Sequence, residues 1–242
     1  MRIKMTLAYD GRAFHGWQRQ QGVETVQETL ENGLKELFGK ETKTFVSGRT
    51  DEGVSARAQV VHFDCETTIP PEKICIALNY KLPETVKAQS SERVDDDFNA
   101  RYDVKKKTYR YRTYVSRTPV PYEKYKLRLE KEPDLERMRS AAEKLVGEHD
   151  FAAFCSANAD TSTSVRTLYE AVVEKTPDGF DFVFTGSGFL YNMVRIMVGT
   201  LVFIGLGFLD ESCIEKAFET KDRKVLGKTV APEGLLLERV EY

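Results

Sequence analysis

At 242 residues, with 41% hydrophobic and 31% charged side chains, the chain has the balance of a soluble globular protein and enough length for one large domain or two modest ones. Four scattered cysteines (Cys65, Cys75, Cys155, Cys213) with no C-x-x-C pair, and three widely separated histidines, speak against a disulfide framework or a zinc site and fit a reducing cytoplasm. The net charge of −2 marks no general nucleic-acid binder, and Met1-Arg2-Ile3-Lys4 runs straight into an alternating segment, not into a signal-peptide pattern.

From Arg2 to Tyr9 the chain alternates, with Ile3, Met5, Leu7 and Tyr9 on one face, so a half-buried strand is expected. After the Asp10-Gly11 turn, Thr25-Val26-Gln27-Glu28 has the form of a capping box. Val26, Leu30, Leu34, Leu37 and Phe38 then recur at helical spacing until Gly39. Thr42–Val46 and Gln59–Phe63 read as strands flanking a loop at Asp51. Pro70-Pro71 opens a second helix with Ile74, Ile76, Ala77 and Leu78 as its apolar residues, and Thr85–Arg93 reads as a strand.

A boundary near residues 100–105 divides the chain into two α+β halves, residues 1–102 and 103–242. In the second, Thr108–Val115 is a Tyr/Thr-rich strand, and Pro133-Asp134 starts a helix closed by Gly147. Leu168–Lys175 and Phe180–Thr185 form a hairpin around Pro177-Asp178-Gly179. Ser156–Ser164 is a Ser/Thr/Asn/Asp-rich loop. Phe189–Ile204 reads as a helix inside an apolar stretch of nearly membrane length, but its central Arg195 marks a buried helix and not a span. Leu235–Tyr242 is a closing strand. The element order predicts mainly antiparallel sheets with helices on one side.

Charge is unevenly spread. Between Arg101 and Lys131 eleven basic residues face three acidic ones, a local +8 that leaves −10 on the remainder. The segment fits either a polyanion footprint or a solvated, alternating strand face.

The densest cluster of reactive types is Gly48-Arg49-Thr50-Asp51-Glu52-Gly53-Val54, directly before Ala56-Arg57-Ala58-Gln59-Val60. Two glycines allow a sharp turn and close approach of a ligand, and the arginines can keep Asp51 ionised or grip a phosphate. The residues alone fit a tight turn with a surface ion pair at least as well. Other sites are absent: Gly186-Ser187-Gly188 lacks the continuation of a dinucleotide loop, no P-loop or G-x-S-x-G elbow occurs, and Asp95-Asp96-Asp97 has the look of a solvated turn.

Gly48-Arg49-Thr50-Asp51-x-Gly53-Val54 resembles the catalytic motif of the TruA family of tRNA pseudouridine synthases. Six further blocks follow the family's order. Tyr9-Asp10-Gly11 with Gly16-Trp17-Gln18 and Gln20 is similar to its N-terminal signature, where Arg12, Arg19 and an aromatic suit RNA contact. Phe98-Asn99-Ala100-Arg101, Lys107-Thr108-Tyr109-Arg110-Tyr111, Gly188–Arg195 and Ala231-Pro232-Glu233-Gly234-Leu235 resemble the rest, as does Gly147-Glu148-His149-Asp150-Phe151. Ser55 departs from the pattern, which commonly has His there.

The resemblance implies two ferredoxin-like halves joined into one extended sheet, with helices on one side and a cleft between the halves. It implies an isomerase acting on a uridine in the tRNA anticodon stem–loop, a homodimer, a cytoplasmic location and no cofactor. The reaction breaks the N-glycosidic bond, turns the freed uracil and rejoins it through carbon. By the resemblance Asp51 would be the catalytic carboxylate and Arg195 its cationic partner; the cost of an arginine in an apolar helix by itself asks only for some carboxylate, Asp51 or another acid. Tyr109 would lie against an extruded base. Gly234 and Leu235 would line the uracil pocket, and Arg49, Arg57, Arg101 and Arg110 would contact RNA. A non-catalytic RNA-binding protein and a nucleosidase-like hydrolase using Asp51 are the rival readings.

Overall fold

The computed structural model describes residues 1–156 and 163–242. Most of the polar Ser156–Ser164 stretch, residues 157–162, therefore lies outside the described residues. The fold is mixed α/β with mainly antiparallel strands, and the chain separates into two compact units: residues 1–105 with 236–242, and residues 106–235.

In the first unit, β1 (Arg2–Tyr9) lies between β3 (Ser55–Asp64) and β4 (Val86–Val94), antiparallel to both. Its expected alternation holds, with Ile3, Met5, Leu7 and Tyr9 buried. Helix α1 (Val26–Phe38) begins at Thr25, whose hydroxyl accepts the Glu28 N–H, and ends on Gly39 in the left-handed region. Strand β2 (Phe45–Val46) is shorter than expected and pairs with β3. Strand β3 is longer and starts at Ser55, immediately behind the Asp51 loop. In α2 (Ile74–Asn79), Cys75 is buried where Ile76 was expected to be, and Ile76 is 57% exposed. Six residues make too short a turn for spacing alone to fix its buried face.

The second unit is built on β5 (Lys106–Val115), β7 (Gly147–Asp150), β8 (Val165–Lys175) and β9 (Phe180–Gly186), paired antiparallel in the order β5-β9-β8-β7. A short β6 (Leu127–Leu129) runs parallel to β5. Helix α3 (Leu135–Glu143) is capped by the Asp134 carboxylate, which accepts the Arg137 N–H. Gly147 does not close that helix; at φ +120 it opens β7. Helix α4 (Met193–Gly205) starts four residues later than predicted, because Asn192 sits at φ 62 and breaks the helical path. It is buried on nearly all sides, and no helix among the described residues is long and apolar enough to cross a membrane. Helix α5 (Cys213–Thr220) follows it.

The last strand, β10 (Leu235–Glu241), pairs in parallel with β3 through Leu236–Ser55 and Leu237–Ala56. Residues 236–242 thereby group with the first unit.

Candidate active site

The Asp51 loop is held from below by buried polar side chains. Gln59, fully buried on β3, donates through Nε2 to the Gly48 carbonyl at 2.9 Å and to the Tyr9 hydroxyl at 3.3 Å. Its Oε1 accepts from Ser47 Oγ at 2.6 Å and from the Val60 N–H at 3.2 Å. The Tyr9 hydroxyl lies 2.7 Å from Thr50 Oγ1, one residue before Asp51. Burial pushes the Tyr9 phenol up to about 12, so it stays protonated at neutral pH.

The N-terminal motif closes the loop from the side. The Trp17 N–H donates to the Thr50 carbonyl at 3.0 Å, and the Gly11 N–H donates to Ser55 Oγ at 3.0 Å. Ser55, the departure from the family pattern, is thus a buried acceptor that ties the two motifs together. Within the loop the Val54 N–H returns to the Asp51 carbonyl at 3.2 Å, and Gly53 supplies a φ of +78. Asp51 is half-buried; Arg49 is exposed.

Arg57 is exposed where the β1–β3 register slips between Leu7–Gln59 and Tyr9–Ala56, an irregularity that redirects side chains. Arg101 is exposed, its guanidinium 5.7 Å from the centroid of the Tyr102 ring. The preceding Ala100 is gripped at both backbone groups: its N–H donates to His62 Nδ1 at 3.0 Å, and its carbonyl accepts from the Tyr242 hydroxyl at 2.7 Å.

The second unit assembles three other motifs around β5. Tyr109 and Tyr111 are both buried, as alternation predicts. The Tyr109 ring meets Phe189 edge to face at 5.1 Å. The Tyr111 hydroxyl donates to the Ala231 carbonyl at 2.6 Å, and Gly234 packs so closely that an added Cβ would lie 2.7 Å from the Tyr111 ring. Leu235 is buried beside it in sequence. On the other face of β5, Arg110 pairs with Asp181 at 2.9 Å and Glu174 at 3.2 Å.

Arg195 stands in the first turn of α4. Its Nε donates to the Val230 carbonyl at 2.8 Å and its Nη1 to Asn192 Oδ1 at 2.6 Å. Burial raises the Tyr111 pKa, and the nearby Arg195 charge opposes that rise. The Val230 segment reaches Arg195 because Gly199, one turn along α4, has no side chain: a Cβ there would sit 1.8 Å from the Lys228 carbonyl oxygen.

Phe14 and Trp17 are buried at 5% and 2% exposure, so the N-terminal loop offers neither ring for base stacking. Arg12 pairs with Asp10, and Arg19 with Glu28 and Glu31. His149 stacks on Phe218 at 4.3 Å and serves packing. Of the basic stretch, Lys126 is paired with Glu123 and Asp178 and Arg128 with Glu130, while Arg101, Lys105, Lys106, Arg117, Lys124 and Lys131 remain exposed. Gln59 and Gly199 escaped the sequence reading. A lone Gln inside an apolar strand was the available signal for the first.

A family model described as tRNA pseudouridine synthase matches residues 5–103 and 141–242. The chain belongs to the tRNA pseudouridine synthase family. It is 42% identical over 245 residues to tRNA pseudouridine synthase A of Bacillus subtilis (strain 168), covering 100% of this chain and 99% of that protein. It is 41% identical over 241 residues to the protein of the same name from Staphylococcus aureus (strain MRSA252), covering 99% and 91%. Membership makes the chain an isomerase of the pseudouridine synthase type.

Proposed function

We propose that this chain converts uridine to pseudouridine in the anticodon stem–loop of tRNA, with Asp51 as the reacting carboxylate, Arg195 as the cation that keeps it ionised and Tyr109 against the extruded base. Full-length similarity to proteins named tRNA pseudouridine synthase A supports the substrate and the reaction. The observation that carries the residue assignment is the Asp51 loop, a carboxylate-bearing turn tied by hydrogen bonds to the buried side chains of Tyr9 and Gln59 and to the Trp17 N–H. Such fixing is what a reacting group needs, because a misplaced carboxylate loses most of its effect.

The balance is closed without a redox partner. The bond from the ribose anomeric carbon to the ring nitrogen breaks, and a bond from that carbon to a ring carbon forms. The hydrogen on the ring carbon leaves as a proton and the former glycosidic nitrogen ends protonated. Asp51 in its ionised form can act as nucleophile or base in this sequence. Gly234 and Leu235 serve the uracil pocket. Arg49, Arg57 and Arg101 are the RNA contacts; Arg110, held by two carboxylates, contributes to them by repartnering with phosphate. The active species is a cytoplasmic homodimer.

The test is incubation of the protein with an unmodified tRNA transcript, followed by mapping of pseudouridine. Conversion in the anticodon stem–loop is expected. Free uracil in solution would instead identify a hydrolase, and binding without either product would identify a non-catalytic RNA-binding protein.

A further inference from the structure

We infer that Gln59, acting through Tyr9 and Thr50, is the positioning residue of the Asp51 loop. The inference rests on the reading of Asp51 as the reacting carboxylate. A single carboxamide here makes four hydrogen bonds, the full capacity of a glutamine side chain: two donated, to Gly48 O and Tyr9 Oη, and two accepted, from Ser47 Oγ and Val60 N. That pattern fixes which end of the amide is nitrogen.

The contacts bracket Arg49. Gln59 grips residues 47 and 48 directly, and it grips residue 50 through the Tyr9 hydroxyl, which receives from Gln59 and shares a 2.7 Å hydrogen bond with Thr50 Oγ1. The backbone is thereby held on both sides of Arg49 and up to the residue before Asp51. Tyr9, Thr50, Ser47 and Gln59 are each at most 6% exposed, so water cannot substitute for a lost partner. No atom of Gln59 belongs to the reacting carboxylate; its role is the placement of Asp51 and Arg49 relative to the rigid strand β3.

Steady-state turnover, tRNA affinity and thermal midpoint are measured for Asp51→Asn, Gln59→Leu, Tyr9→Phe, Thr50→Val and the Tyr9→Phe/Thr50→Val double variant. Tyr9→Phe removes one hydroxyl and keeps the ring, so it decides the matter where Gln59→Leu does not fold. A displaced loop is expected to lower kcat about tenfold or more with unchanged KM and tRNA Kd, at temperatures where the variant is fully folded. The double variant is expected to lose no more than the worse single one, since both break the same chain of hydrogen bonds. A folded Tyr9→Phe and Thr50→Val with wild-type kcat, alongside an inactive Asp51→Asn, would overturn the positioning role and leave the Asp51 reading intact. An active Asp51→Asn would overturn the Asp51 reading, and the inference with it.

Discussion

The backbone of Gly11 lies against that of Val54 so closely that a Cβ on Gly11 would fall 2.0 Å from the Val54 carbonyl oxygen. The N-terminal motif and the Asp51 loop are therefore packed main chain to main chain. The Gly11 N–H donated to Ser55 Oγ completes the contact. Gly11→Ala must push the two segments apart. We expect a destabilisation of at least about 1–3 kcal/mol, as for overpacking in a core, together with a loss of turnover larger than the loss of tRNA binding. Chemical denaturation and steady-state kinetics on the same preparation check both.

His62 sets an acid limit on stability. It is 3% exposed, stacks on Phe45 at 4.9 Å and accepts the Ala100 N–H through Nδ1, which requires a ring without a proton there. Burial, reinforced by the Arg2 charge, lowers its pKa from 6.5, while Asp64 and Asp103 pull the other way. Above 6.5 the folded and unfolded chains are both neutral at this site and its full contribution is present. Below it the unfolded chain takes the proton first, so stability falls as pH drops toward the lowered folded value. Denaturation midpoints from about pH 8 to about pH 5 should decline in wild type and decline less in His62→Gln, whose amide oxygen can still accept from Ala100. Parallel curves would count against this role.

Gly199 controls Arg195 at one turn's distance. The segment after Leu226 passes against α4 at this glycine, and the Thr200 hydroxyl accepts the Gly227 N–H at 3.1 Å. Gly199→Ala would lift the segment and draw the Val230 carbonyl away from Arg195 Nε. A destabilisation of about 1–3 kcal/mol is expected, with a kcat below that of wild type at matched fraction folded. Full activity in a folded Gly199→Ala protein would show that the Val230 carbonyl does not set the Arg195 geometry.

Local patterns made much of this legible. The period-2 burial of β1, the Thr25 cap of α1 and the Tyr109/Tyr111 face of β5 follow from residue spacing. What spacing could not show was non-local or backbone-driven. The start of α4 depends on Asn192 adopting φ 62, which its side chain tolerates but does not announce. The parallel pairing of β10 with β3 joins residues about 180 apart in sequence, and no local signal encodes such a partner. Helix α5 did carry a signal, Cys213, Ile214, Ala217 and Phe218 on one helical face, but it is only eight residues long. At the site, the motifs pointed to Asp51, Arg195 and Tyr109 through resemblance. The buried amide of Gln59 and the close approach at Gly11 emerged only from three-dimensional neighbours.

The most direct test of the account is pseudouridine mapping in a tRNA transcript incubated with wild-type protein and with Asp51→Asn, with tRNA binding measured in parallel. The substitution keeps the size of the side chain and removes its charge. Pseudouridine is expected in the anticodon stem–loop with wild type, none with Asp51→Asn, and tRNA affinity retained by both. Pseudouridine formed by a folded Asp51→Asn protein at a rate near that of wild type would contradict it.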